Sequence, residues 1–323
     1  MVRKKLSEKL EEIISYFYQM KPDLLTIPIK SIAEHHKLAD LRKPQHPLFS
    51  IYRFEEMKIT PNNQRLKIIS DLYQITLKDD CPCKTKYGQN QYDFDEGLMN
   101  FFAPKQTHVI EPGDWMPEKG FLLLVHPDFF QGNILQKKIK EYGFFDYATD
   151  EALILSEGEE QSIKQIFRQI EKEYLLPIDQ YSQDVVLSNI DLLLTYCNRY
   201  YNRQFITRKT TNNQLQEKVS QILDEYIQQE APHKGLPTAQ FLANELNLSA
   251  KYLSDCLKNL TGLTTQQIIH EKLIEKAKDI LTTTELSVSE IAYQLGFEFP
   301  QSLNRLFKNK TKQTPLEFRA SFN

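Results

Sequence analysis

Residues 287–319 read SVSEIAYQLGFEFPQSLNRLFKNKTKQTPLEFR, and residues 238–264 read TAQFLANELNLSAKYLSDCLKNLTGLT. In the later stretch Val288, Ile291, Ala292 and Leu295 follow the i, i+3, i+4, i+7 spacing of one apolar helix face. Ala239, Leu242, Ala243 and Leu246 do the same in the earlier one. A constant offset relates the two, with Leu246 matching Leu295 and Leu248 matching Phe297. After one inserted residue the match resumes at Leu253/Leu303, Leu257/Phe307, Lys258/Lys308, Thr261/Thr311 and Thr264/Thr314. A unit of helix, tight turn and second helix is therefore written twice. Units of this kind are a common device for reading DNA, because the second helix fits the major groove.

The helix punctuation agrees with that reading. Ser287 with Glu290, and Thr264 with Gln267, form capping boxes ahead of helices. Thr314, Pro315 and Glu317 supply an N-cap, a proline at the first helical position and the box carboxylate for a last helix. Gly262 and Gly296 stand where a helix must stop and turn. Between the units, Ile268, Ile269, Leu273, Ala277, Ile280 and Leu281 predict a helix over 265–281 with two sides to bury. Such a rod spans roughly 25 Å. It would hold two recognition helices about one DNA turn, roughly 34 Å, apart. A helical bundle that binds no DNA would share the periodicity, and the duplication with its turn chemistry favours DNA.

A chain of 323 residues suggests two domains. With 41% hydrophobic and 26% charged residues its composition is that of a globular protein. No apolar run approaches the roughly 18 residues of a membrane span. The N-terminus, MVRKKLSEKLEEIISYFYQM, lacks the apolar core of a secretory signal, so no membrane and a cytoplasmic location are expected. The formal net charge is −3, and from Asn213 onward twelve Lys/Arg face thirteen Asp/Glu. That is not the strong basic footprint of many DNA binders. Arg305, Lys308, Lys310, Lys312 and Arg319 nevertheless crowd the last helices, which predicts few phosphate contacts and modest non-specific affinity.

Toward the N-terminus, residues 5–20 predict an amphipathic helix, and prolines punctuate the text beyond Pro22. Short β-like runs follow at 51–54, 72–77, 92–94, 98–102 and 121–125, as in a sandwich or small barrel. A helix is expected over 133–142 and a strand over 152–155. Residues 157–175 carry Ile163, Ile166, Phe167, Ile170 and Tyr174 on one helix face. Residues 180–204 carry Val186, Leu187, Ile190, Leu193, Leu194, Cys197 and Tyr201, a wide apolar surface. Packing within one chain and packing on a partner chain both explain it. The polar, aperiodic segment 207–213 reads as an interdomain linker.

The stretch from about Gln214 to Asn323 resembles the DNA-binding domain of AraC/XylS-type transcriptional regulators. The likeness rests on LANELNLSAKYLSDCLKNLTGLT, on EKLIEKAKDIL and on SVSEIAYQLGFEFPQSLNRLFKNKTKQTPLEFR. More loosely, FFAPKQTHVIEPGDWMPEKGFLLLVHPDFF is similar to the cupin-like sensing domains of that family, and 157–204 to the helical pair with which such domains dimerise. The resemblance implies an α+β chain: a cupin-like β-barrel with flanking helices over 1–206 and an all-α double helix-turn-helix domain over 214–323. It implies double-stranded DNA as partner, a homodimer and a small-molecule effector. The recognition helices would be Ser249–Asn259 and Pro300–Asn309. Base-reading positions fall on Lys251, Ser254 and Asp255 in the first and on Gln301, Ser302, Asn304 and Arg305 in the second. Arg305 suits guanine O6 and N7, and Asn304 or Gln301 suits adenine. Leu253, Leu257, Leu303 and Phe307 face the core. Thr238, Ser287 and Lys308 are phosphate candidates, with backbone N–H groups at helix starts. Asp255 and Cys256 stand where the family often has a basic residue, Leu257 replaces a common Phe, and Lys312 replaces a common Gly.

Other chemistry finds little support. Cys81, Cys83, Cys197 and Cys256 are too scattered for a disulfide framework, and the Cys81–Cys83 pair has no second ligand pair at zinc spacing. His108 has no His-x-His partner, and His35, His36 and His46 fall in loop-like text and read as solvated. No catalytic order of residues and no phosphate loop is visible, so no enzyme activity, metal or cofactor is expected. Tyr73, Tyr92, Phe94, Phe101, Phe102, His108 and Trp115 are candidates to line an effector pocket, against the alternative of a packed barrel core. The competing classes are a cupin-type enzyme and an interaction module, each carrying a helix-turn-helix tail.

Overall fold

In the computed structural model, residues 24–58, 65–79, 97–110, 117–207 and 209–322 are described. The N-terminal half is built from β1 (Leu25–Ile29), α1 (Ile32–Leu38), β2 (Phe49–Arg53), β3 (Leu66–Ser70), β4 (Tyr73–Lys78), β5 (Leu98–Phe102), β6 (Thr107–Ile110), β7 (Gly120–Val125) and β8 (Leu153–Ile154). Two sheets result, one ordered β1-β3-β6 and the other β2-β7-β4-β5-β8. β1 runs parallel to β3, and the remaining pairs are antiparallel. Among the described residues the sheets face each other as two open layers, not as a closed barrel, and the chain as a whole mixes helix and sheet. The expected helix over 5–20, the strand over 92–94 and the Cys81–Cys83 pair lie outside the described residues.

Strand alternation divides the five-stranded sheet into unlike faces. Phe49, Ile51, Tyr73, Ile75, Leu77, Met99, Phe101, Phe121, Leu123 and Val125 point outward into the main core. There they meet α3 (Glu157–Leu175) and α4 (Ser182–Thr207), which follow the short α2 (Leu135–Lys138). α3 starts on a capping box in which Ser156 and Glu159 satisfy each other's backbone N–H groups. The apolar surface on α4 that admitted two readings is used within the chain: Val186, Leu187, Ile190, Leu193, Leu194, Cys197 and Tyr201 all lie in this core.

The opposite face of the sheet is partly polar. Ser50, Gln74, Thr76 and Asn100 are buried beside a small apolar cluster that includes Ile29, Ile68, Tyr52, Leu122 and Leu124. The solvated reading of His35 and His36 is overturned here. Ser31 caps α1, which packs both rings inward at 8% and 6% exposure. The ring nitrogens of His36 pair with the Arg42 carbonyl at 2.5 Å and the Ser50 hydroxyl at 2.7 Å, which offsets the cost of burying it. Burial lowers the pKa of His35 to about 4, with smaller contributions from the charges of His36 and His108. His108 sits opposite Ile68 in the sheet register and is likewise lowered to about 4, mainly by desolvation.

α4 ends at Thr207 and α5 (Lys209–Gln229) begins at Lys209, so the segment read as a linker is helical from there onward. The C-terminal half continues with α6 (Ala231–Lys234), α7 (Ala239–Glu245), α8 (Ala250–Thr261), α9 (Thr265–Thr283), α10 (Val288–Gln294), α11 (Pro300–Thr311) and α12 (Pro315–Ala320). All three expected capping boxes form, at Thr264, Ser287 and Thr314. The duplication extends to the backbone. Asn247 and Gly296, one per unit, take positive φ in the turns before α8 and α11, and Gly262 and Lys312 do so after them. Lys312 adopts φ 67° with a Cβ, a strain of about 1–2 kcal/mol that glycine would avoid. Leu242, Ala243, Leu253, Leu257, Ile291, Ala292, Leu303 and Phe307 share one core with α9, which buries Ile269, Leu273, Ile274, Ala277 and Leu281.

Candidate nucleic-acid interface

α11, expected to be the second recognition helix, is anchored on one side and open to solvent on the other. Pro300 sits at its first position, and Leu303 and Phe307 anchor it in the core. On the other side Gln301, Ser302, Asn304, Arg305 and Lys308 are exposed along one stripe. No hydrogen bond or ion pair engages the side chains of Gln301, Asn304 or Arg305 among the described residues. Amide, amide and guanidinium are thus presented with their donors and acceptors uncommitted, which suits base edges.

Several of the surrounding cations are already engaged within the protein. Arg319 donates to the Leu281 and Leu286 carbonyls at 3.0 and 2.7 Å, tying α12 to the end of α9. Lys310 lies 3.6 Å from Glu271, and Lys312 donates to the Asn309 carbonyl. Arg305 and Lys308 keep their exposed positions. Thr238 and Ser287 each accept a backbone N–H at their own helix start, from Phe241 and Glu290. Their hydroxyls are therefore partly committed to capping.

α8, expected to be the first recognition helix, is placed differently. Leu253 and Leu257 face the helical core as expected, but Tyr252 and Cys256 are buried in the core of the N-terminal half. Lys251 and Asp255 form an ion pair at 3.0 Å, and the Tyr147 hydroxyl donates to Asp255 at 2.8 Å. Ser254 and Asp255 are half-buried. Tyr147 and Glu151, which touch this helix, had no periodic or motif signal of their own. The trace visible in the sequence lay on the helix, where Asp255 and Cys256 depart from the expected basic pattern.

Of the candidate pocket residues, Phe102 and His108 come together with ring centroids 5.0 Å apart. Tyr73 lies on the outer face of its sheet, against Phe130 and Phe145. Tyr92, Phe94 and Trp115 are outside the described residues. Among the described residues no group of three or more His, Cys, Asp or Glu converges, and no helix is long and apolar enough to cross a membrane.

Comparison with known proteins bears on the same region. A family profile described as a helix-turn-helix domain matches residues 242–321. Residues 242–321 thus form a helix-turn-helix domain like that of AraC-type regulators. The chain is 35% identical over 94 residues to the xylose operon regulatory protein of Haemophilus influenzae, a match covering 29% of this chain and 24% of that protein. It is 26% identical over 122 residues to histidine kinase P4 of Formosa agariphila, covering 36% of this chain and 8% of the relative. Among solved structures, the C-terminal domain of the two-component response regulator yesN from Fusobacterium nucleatum shares 35% identity, with a TM-score of 0.29, over 32% of this chain and 96% of that one. This chain thus spans a quarter or less of the length of the two curated relatives named here.

Proposed function

We propose that the protein is a sequence-specific DNA-binding transcriptional regulator, acting in the cytoplasm and not as an enzyme. The observation that carries this reading is the exposed Gln301, Ser302, Asn304, Arg305 stripe on a helix anchored by Leu303 and Phe307. Lys251, Ser254 and Asp255 are assigned to the first reading helix, and Thr238, Ser287 and Lys308 to phosphates. Bound duplexes selected from a random pool supply the test. Arg305→Ala is expected to cost about 1–3 kcal/mol on the selected sequence and to relax preference at one base pair. An equal loss on every sequence would reduce Arg305 to a phosphate contact.

The N-terminal half is assigned a sensing and dimerising role on a cupin-like scaffold. The dimer reading is supported by apolar residues left exposed on and between α3 and α4: Leu175, Leu176, Ile178, Tyr181, Val185 and Leu192. Sedimentation of the full chain tests it, and a monomer at micromolar concentration would remove it. An effector chamber between the sheets is supported by the polar inner face, where the Asn100 Oδ1 is buried without a partner. An apolar core would not normally leave such an atom unpaired.

A further inference from the structure

The two copies of the repeated unit differ in one respect that the repeat itself does not require. In register, Tyr252 and Cys256 of α8 correspond to Ser302 and Leu306 of α11, and Asp255 corresponds to Arg305. On α11 that flank is exposed or half-buried, whereas on α8 Tyr252 and Cys256 are buried and Asp255 is half-buried. α8 is therefore apolar on two sides, and the N-terminal half covers the second. Tyr252 packs edge-on against Tyr147, with centroids 5.1 Å apart, and against Phe205 at 5.3 Å.

Polar contacts at the seam use groups that a duplex would need. Ser249 caps α8, accepting from the Tyr252 N–H. Its own N–H donates to Glu151 Oε1 at 2.6 Å, and its hydroxyl donates to the other Glu151 oxygen. The Ala148 N–H, 2.7 Å from Glu151 Oε2, holds that carboxylate in place. A carboxylate so seated takes up the donors that the start of a groove-binding helix offers to a DNA phosphate. One turn further on, Tyr147 donates to Asp255, which also holds Lys251. Burial and the nearby Asp255 charge raise the Tyr147 pKa, so the phenol stays protonated and remains a donor. Gly143 completes the seam, since a Cβ there would lie 2.3 Å from Asp255 Oδ2 and 2.6 Å from Lys251 Cε.

We propose that Glu151, Tyr147 and the backbone at Gly143 form an internal latch that occupies the first recognition helix in place of DNA. In this closed arrangement only the second unit can read a duplex, and the first joins it when the N-terminal half lets go. The latch rests on the DNA-reading role proposed above. It assigns a use to Asp255 and Cys256 that base reading alone does not explain. A helix shared between two cores gives the closed state its stability, because leaving the seam exposes Tyr252 and Cys256 to water.

The test uses the full chain, a Glu151→Gln/Tyr147→Phe double variant, and Gly143→Gln as an independent wedge from the other side of the seam. The probe is a duplex selected by binding to the wild-type chain, extended by random sequence on both sides. Both variants are expected to bind duplexes reselected from that pool at least ten-fold more tightly than the wild type, with protection lengthened by roughly one helical turn. Without DNA, amide exchange over 250–261 should quicken in both variants while that over 300–311 stays as in the wild type. If the wild type already protects both turns and the variants bind no tighter, the latch is overturned and DNA reading stands. Unchanged exchange over 250–261 in both variants also overturns it. If exchange quickens but no form of the chain binds any duplex, the DNA reading fails and takes the latch with it.

Discussion

Gly296→Ala is expected to destabilise the C-terminal helical domain by about 3–5 kcal/mol, a large share of the roughly 5–15 kcal/mol that holds an ordinary domain together. Two costs coincide at this position. Gly296 takes φ 86° in the turn between α10 and α11, a region in which a Cβ is strained. An added Cβ would also stand 2.7 Å from the Gly235 carbonyl carbon and 2.8 Å from the Ala231 oxygen. Those are backbone atoms, which cannot swing aside as a side-chain end can. The close approach seats the second unit against α6, so the orientation of α11 depends on it. Circular dichroism melts of the variant and wild type would measure the loss. A shift below about 1 kcal/mol would show that the backbones at Gly235 and Gly296 have room to separate. Asn247, the matching residue of the first unit, tolerates its own positive φ of 53° because Asn visits that region more readily than most residues.

The second large effect is acid lability of the N-terminal half through His35. Folded His35 has a pKa near 4, against 6.5 for the group in water. Between these values the unfolded chain takes up a proton that the folded chain refuses, so stability falls as pH drops from about 6.5 toward 4. Above 6.5 both states are neutral and the contribution is fully present. Across the window the loss approaches about 3 kcal/mol. Thermal melts at intervals from pH 7.5 to 4, compared between wild type and His35→Gln, would isolate this step from the carboxylates. The variant should melt with a shallower pH dependence in that window. Identical slopes would mean that His35 is hydrated or protonated in the native state.

Legibility in the sequence tracked the range of the interactions. α10 and α12 are legible because each cap joins residues three apart, and α11 because Pro300 starts it and its apolar face repeats within a turn. The core positions Leu253, Leu257, Leu303 and Phe307 follow from the resemblance, and all four are buried in one core. His35 and His36 were misjudged because their surroundings come from Ser50, Tyr52 and the carbonyl of Arg42, which no local pattern announces. Arg319 was counted among cations facing DNA for a similar reason. Its two carbonyl partners lie 38 and 33 residues back along the chain. Segment 207–213 read as irregular since it lacks an apolar face, yet helix needs only backbone hydrogen bonds and neighbours already helical, which α5 provides.

The chain alone specified a duplicated helix-turn-helix domain and the side chains that α11 displays, since these depend on spacings of three to seven residues. Tertiary structure alone decided that α8 is shared with the N-terminal half. The apolar character of Tyr252 and Cys256 was written on the helix, but the groups that cover and bind it, Tyr147 and Glu151, stand about a hundred residues away, beyond the reach of any periodic signal.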